Sequence, residues 1–141
     1  MKRKTAKDVM TTPVIAVRTS DTVGRVARTL LRHRISGVPV LDDFGLMVGI
    51  VSEGDLLARR ADRFTAEDVM TPTVFTADEG TPVTEVARRM VRHQINRIPI
   101  VRGEELVGIV TRADVLNEHA ETSERDAEVV VAVGRLEVVT V

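Results

Sequence analysis

The chain has 141 residues and no cysteine, tryptophan or tyrosine. Without cysteine it can form no disulfide, no thiolate nucleophile and no zinc–thiolate site. Its only aromatic residues are Phe44, Phe64 and Phe75. That leaves no platform on which successive single-stranded bases could stack. No apolar run approaches the length of a membrane span, and no signal-peptide core follows the basic start at residues 1–4. A cytoplasmic location without membrane attachment is expected. The net charge of −1 supplies no general attraction for nucleic acid, so none is expected as a partner. The basic start reads as a solvated terminus. His33, His93 and His119 are dispersed and make no metal cluster. No Ser-His-Asp set, GxGxxG or P-loop can be assembled. Nothing supplies a nucleophile, a metal or a tuned acid–base pair, so an enzyme is not expected.

What the chain does have is a duplication. DVMT at residues 8–11 recurs at 68–71, and ISGVPV at 35–40 recurs as INRIPI at 95–100. VGIVSEGD at 48–55 recurs as VGIVTRAD at 107–114. The offset falls from sixty to fifty-nine between the second and third motifs. One residue has been lost opposite residues 42–45, which is best tolerated in a hairpin loop.

Each copy reads β-α-β-β-α. Residues 14–17 and 74–75 are β-branched or apolar runs bounded by proline or charge, and predict first strands. A helix follows, with Asp21 as N-cap in the first copy. In the second, Thr81 caps and Pro82 takes the first helical position. Val23, Val26, Ala27, Leu30 and Leu31 share one face, as do Val83, Val86, Ala87, Met90 and Val91. Arg28, Arg32, Arg88 and Arg92 fall opposite, as solvated positions. His33 and His93 end these helices as C-terminal caps. Strands are predicted at Gly37–Leu41 and 46–51, then at 97–101 and 106–110. The runs LMVGIV and LVGIV do not alternate and predict strands buried on both faces. Pro39 and Pro99 read as strand-start or edge signals, and Met10 and Met70 as core plugs. Ser52 and Thr111 are placed to cap a second helix, with Asp55 and Asp114 in its first turn. One such unit of roughly fifty residues is marginal alone, and two can cover each other's open sheet face.

These motifs, duplicated in register over residues 7–118, resemble a pair of cystathionine-β-synthase (CBS) domains, the tandem also called a Bateman module. The resemblance implies an α/β (α+β) fold of two β-α-β-β-α repeats around a pseudo-twofold axis: residues 1–62, then 63–118. It implies a regulatory or sensor module that binds AMP, ADP, ATP or S-adenosylmethionine in clefts between the repeats, without catalytic cofactor or metal. It also implies a disk-like homodimer and an unnamed protein target.

An adenosine phosphate needs a carboxylate for the ribose diol, N–H groups, hydroxyls or arginine for phosphate, and an apolar slot for the base. Carried over from the family, one cleft would comprise Thr12, Val14, Ile15, Ser36, Gly37, Val38 and Pro39 with Thr111, Arg112 and Asp114. The other would comprise Thr71, Val74, Phe75, Asn96, Arg97, Ile98 and Pro99 with Ser52 and Asp55. Asp114 and Asp55 would hold ribose, and Thr111 and Ser52 would approach phosphate. Arg112 of the first cleft is matched by Glu53 in the second, where a carboxylate repels phosphate. Arg97 stands where the first repeat has Gly37, and could offset Glu53 or serve both clefts. Gly37 leaves room for close approach. The first cleft is therefore the better-formed pocket. The Ser/Thr-x-x-Asp pair is equally an ordinary helix cap, and both roles stay open at this point. The alternative is a structural adaptor with vestigial clefts.

Residues 117–126 read as helix end and linker. Two valine-rich runs, 128–133 and 136–141, flank Gly134 and Arg135 and predict a hairpin. A hairpin alone is unstable, so it is expected to add an edge strand to the module's own sheet. Residues 119–141 form this third segment.

Overall fold

The computed structural model describes residues 3–72, 74–122, 127–132 and 134–140. The first two residues of the basic start and residues 123–126 of the linker lie outside the described residues. The fold is mixed α and β. Two three-stranded sheets have the same order and connectivity. In the first, β1 (Val17–Arg18) runs parallel to β2 (Gly37–Leu41), which pairs antiparallel with β3 (Met47–Ser52). In the second, β4 (Ala77–Asp78), β5 (Arg97–Arg102) and β6 (Glu105–Thr111) repeat the pattern. Helices α2 (Val23–His33) and α3 (Glu53–Ala58) accompany the first sheet. Helices α5 (Val83–His93) and α6 (Arg112–Thr122) accompany the second. Two short helices, α1 (Ala6–Val9) and α4 (Ala66–Val69), lead the repeats.

The first strands are shorter and later than their composition predicts. Val14 and Ile15 precede the ladder, which begins at Val17 opposite Val40. Val74 and Phe75 likewise precede β4, and Phe75 stacks on His93 with ring centroids 3.8 Å apart. Val14, Ile15 and Val74 are half-buried outside the sheet and Phe75 is exposed, and β-propensity does not separate such positions from paired ones. Caps move by one residue. Thr22, not Asp21, caps α2, its hydroxyl accepting the Arg25 N–H at 3.2 Å. Asp21 instead accepts the Arg18 N–H at 2.9 Å and closes the preceding turn. Pro82 occupies the N-cap of α5, and Val83 opens the helix.

The strands buried on both faces are β2 and β5, not β3 and β6. Val38, Pro39 and Val40 are fully buried, as are Ile98, Pro99 and Ile100. Pro39 and Pro99 therefore sit in central strands rather than at edges. Pro39 lies opposite Ile50, whose N–H and C=O both pair with Thr71 at 3.0 and 2.8 Å. Ile50 thus turns its backbone groups away from β2, so a missing N–H on Pro39 costs the ladder nothing. Pro99 opposite Ile109, which pairs with Thr11, repeats the arrangement.

Those Thr contacts also show that the heads of the repeats are exchanged. Thr11 bridges to Ile109 of the second sheet, and Thr71 to Ile50 of the first. Met10 lies on Gly108 and Met70 on Gly49. Ala6 belongs to the second core with Val86, Met90, Ile98, Ile100 and Val110. Ala66 and Val69 belong to the first, with Val26, Leu30, Val38, Val40 and Val51. Each sequence repeat thus lends its DVMT head to the other's sheet.

Strands β7 (Ala127–Ala132) and β8 (Arg135–Thr140) form a hairpin with Gly134 in its turn at φ +74. Among the described residues they pair only with each other. The expected extension of the module's sheet is not found. Thr71 and Thr11 already bond the outward-facing groups of β3 and β6 at the positions such a strand would use.

Candidate functional site

Ser52 and Thr111 end their strands and begin their helices, so each cap is rigidly placed at the sheet's end. Asp55 Oδ2 accepts the Ser52 N–H at 2.8 Å and its hydroxyl at 3.0 Å, and the Ser52 Oγ accepts the Asp55 N–H at 3.4 Å. Asp114 accepts the Thr111 N–H at 2.8 Å, while the Thr111 hydroxyl accepts the Asp114 N–H at 3.3 Å. The exchanged head adds to the second cap: the Thr11 hydroxyl lies 3.4 Å from both Asp114 oxygens. The same reciprocal pattern opens the leading helices, where Asp8 accepts the Thr5 N–H and Asp68 the Thr65 N–H. Capping alone therefore explains the hydroxyl–carboxylate spacing.

A cavity of about 990 Å³ opens beside the Thr111 cap. Its apolar wall is Val14 and Ile15 with Val23, Ala27 and Leu30 of α2 and Leu56 of α3. Its polar part joins Ser36 and Gly37 of the first repeat to Asn96, Arg97, Thr111 and Arg112 of the second. Arg34, Glu53 and Arg60 supply further charge. The cavity therefore draws on both repeats.

Arg97 crosses between them. Its guanidinium donates to the Ser36 hydroxyl and lies over Gly37, where an added Cβ would come within 2.5–2.7 Å of it. The space beside Gly37 is thus taken by Arg97 from the matched position of the other repeat. Burial holds the Arg97 pKa below its usual value; Glu53 and Asp55 oppose this, and Arg112 adds to it. The guanidinium stays protonated at any working pH, and Glu53, Asp55 and Arg112 are all close enough to act on it.

Of the residues assigned to the first cleft, the cavity gathers Val14, Ile15, Ser36, Gly37, Thr111 and Arg112. Thr12 and Asp114 do not line it, and Val38 and Pro39 are core residues of β2. Of those assigned to the second cleft, Asn96 and Arg97 line this same cavity. Ser52, Asp55, Thr71, Val74 and Phe75 line neither it nor a second cavity of about 790 Å³ near the hairpin loops, and Ile98 and Pro99 are core. Glu53, assigned to the second cleft, lines the first. Arg34 and Arg60 escaped the sequence reading. Arg34 follows α2 in a left-handed conformation, φ 54, and Arg60 follows α3. The signal for Arg34 was its match to Gln94, which ends α5 at φ 53.

The CBS domain family matches residues 6–62 and 66–121. The chain is 34% identical over 111 residues to the L-aspartate semialdehyde sulfurtransferase of Methanocaldococcus jannaschii. The match covers 77% of this chain but only 22% of that protein, so the chain spans about a fifth of that relative's length. It superposes on the CBS domain pair of protein MJ0100, solved with 5′-methylthioadenosine and S-adenosyl-L-methionine. The TM-score is 0.80 at 31% identity, over 86% of this chain and 100% of that one. It is also similar to CBSX2 solved in complex with AMP, with a TM-score of 0.76 at 28% identity, over 84% and 97% of the chains. The doubled match, the two equivalent sheets and the shared cavity agree: the chain belongs to the CBS domain family and carries two of these domains in tandem.

Proposed function

We propose that the chain is a non-enzymatic regulatory module that binds an adenosine ligand between its repeats and signals by changing their arrangement. The observation that carries this reading is the cavity with an apolar wall on one side and Ser36, Arg97, Thr111 and Arg112 on the other. An apolar slot beside convergent hydroxyls and guanidiniums suits a base and a phosphate. A ligand there touches both repeats, so its affinity depends on how they are set. That differential affinity is the sole means by which it can shift an equilibrium. The methylthioadenosine, S-adenosylmethionine and AMP complexes of the related pairs support adenosine as the common part. Asp114, the residue after the cavity-lining Ala113, would take the ribose diol.

A homodimer completes the reading. Leu31 and Val91 are 79% and 80% exposed at matched positions, and Leu57 and Leu116 are 72% and 64% exposed at another matched pair. Large apolar side chains repeated in register on α2, α3, α5 and α6 suit a second copy related by twofold symmetry. One observation favours the alternative, an adaptor with a vestigial cleft: Arg97 already holds Ser36. Absence of binding by any adenosine ligand would establish that alternative.

Titration calorimetry with AMP tests the ribose assignment. Asp114→Ala should lower affinity by about tenfold or more, the worth of a hydrogen bond to a charged group. It should also cost about 1 kcal/mol of stability through the lost cap. Asp68→Ala loses the equivalent cap of α4 and should leave affinity unchanged. Equal affinities in both variants would remove Asp114 from the site.

A further inference from the structure

The charge around the cavity is far from that of the whole molecule. The chain carries a net −1. The cavity is lined by Arg34, Arg60, Arg97 and Arg112 against a single carboxylate, Glu53. Applying the repeat's own offsets to these five positions gives Gln94, His119, Gly37, Glu53 and Arg112. Glu53 and Arg112 exchange places, and so do Arg97 and the cavity-lining Gly37, so only Arg34 and Arg60 have no charged counterpart in the mate. The first cleft therefore has a formal surplus of three positive charges, whereas its symmetry mate has a surplus of one. The duplication kept the fold of both halves and let their charge diverge.

We infer that the chain discriminates among adenosine ligands by charge. It takes one phosphate-bearing nucleotide per chain in the first cleft and disfavours uncharged and sulfonium adenosines there. This rests on the adenosine reading above and narrows it. Arginine remains protonated at any working pH and presents a fork that matches phosphate oxygens. Within a cavity bounded by apolar side chains such attraction is screened less than at an open surface. A sulfonium places a positive charge among guanidiniums and is repelled by the same field. Glu53 opposes Arg97 locally, so the preference arises from the whole lining. A ligand phosphate also gives Arg97 a stronger acceptor than the neutral Ser36 hydroxyl it now holds.

Calorimetric titration of the full chain with AMP, ADP, 5′-methylthioadenosine and S-adenosylmethionine tests this, at low and at high salt. The expected result is one AMP site per chain, with ADP at least as tight. Both nucleotides should weaken as salt rises. S-adenosylmethionine should be weaker than AMP by about tenfold or more, the worth of one charge-assisted contact. Arg112→Gln, and separately Arg97→Gln, should lower the ratio of AMP affinity to methylthioadenosine affinity by about tenfold. Two equal AMP sites per chain would overturn the inference, as would a sulfonium or neutral adenosine that binds as tightly as AMP. So would an affinity ratio untouched by either substitution. In each of those cases the adenosine reading itself would stand. No binding by any of the four ligands would overturn both.

Discussion

Two glycine positions show how the duplication uses the smallest side chain to bring repeats together. At Gly37 an added Cβ would strike the Arg97 guanidinium, and at Gly49 it would come within 2.5 Å of the Met70 sulfur and 2.9 Å of the Thr71 carbonyl oxygen. The contacts differ in kind. Arg97 is a long side chain that can withdraw, whereas the Thr71 carbonyl is backbone already bonded to Ile50. Gly49→Ala should therefore destabilise by about 1–3 kcal/mol, as overpacking does in a filled core, read from urea unfolding. Adding Met70→Ala should recover only part of that loss, because the carbonyl contact remains. Full recovery in the double variant would mean that the sulfur alone sets the approach. The sequence showed Gly37 as room for close approach but not that Arg97 fills it, and it gave Gly49 no role, because each answers to a residue on the other repeat. The Ser/Thr-x-x-Asp pairs were legible as caps. Their fourfold use, at Thr5, Ser52, Thr65 and Thr111, shows why spacing alone could not separate capping from ligand binding.

At the scale of elements, the β-α-β-β-α order of each repeat and helices α2 and α5 could be read directly, since periodicity and β-branched runs report burial. The first strands were misplaced for the same reason. Val14 and Ile15 are apolar because they face a cavity, and apolar character cannot tell a cavity wall from a ladder. The exchange of the leading helices was also hidden, because local sequence does not say which sheet a head docks on. The dock of α1 has a titratable part. The Glu79 carbonyl accepts the Lys7 N–H at 3.0 Å, while its carboxylate pairs with Arg102 at 2.7 and 3.1 Å. The Arg102 hydrogen bond holds the Glu79 pKa below the usual carboxylate range. A depressed carboxylate pKa adds stability above its unfolded value and loses it as pH falls through the folded one. Glu79→Gln should therefore unfold at a lower temperature than the parent near neutral pH. The two melting curves should converge as pH falls below the carboxylate range. A gap of constant size across that range would mean that the carboxylate's charge contributes nothing to the dock.

At the scale of the molecule, the pseudo-symmetry is close in backbone and broken in chemistry. Sheet order, the Ser/Thr-x-x-Asp caps, head exchange and the glycine–methionine contacts recur in both halves, while the charges of Arg34 and Arg60 do not. The exposed apolar residues recur too: Leu31 matches Val91 and Leu57 matches Leu116 across the repeat, and all four are exposed among the described residues, with Leu31 and Leu57 also lining the cavity. Were they incidental, nothing would keep both members of each pair apolar. Were they buried by a twofold-related copy, each member would meet an apolar counterpart and all four would be held together. Sedimentation velocity on the parent should accordingly give a dimer. Leu31→Glu with Val91→Glu should place charges without partners in that contact and shift the population to monomer, with the far-ultraviolet circular dichroism of the fold retained. A parent that sediments as a monomer at high micromolar concentration would end the homodimer reading. The matched exposure would then need another partner, one able to meet both repeats at once.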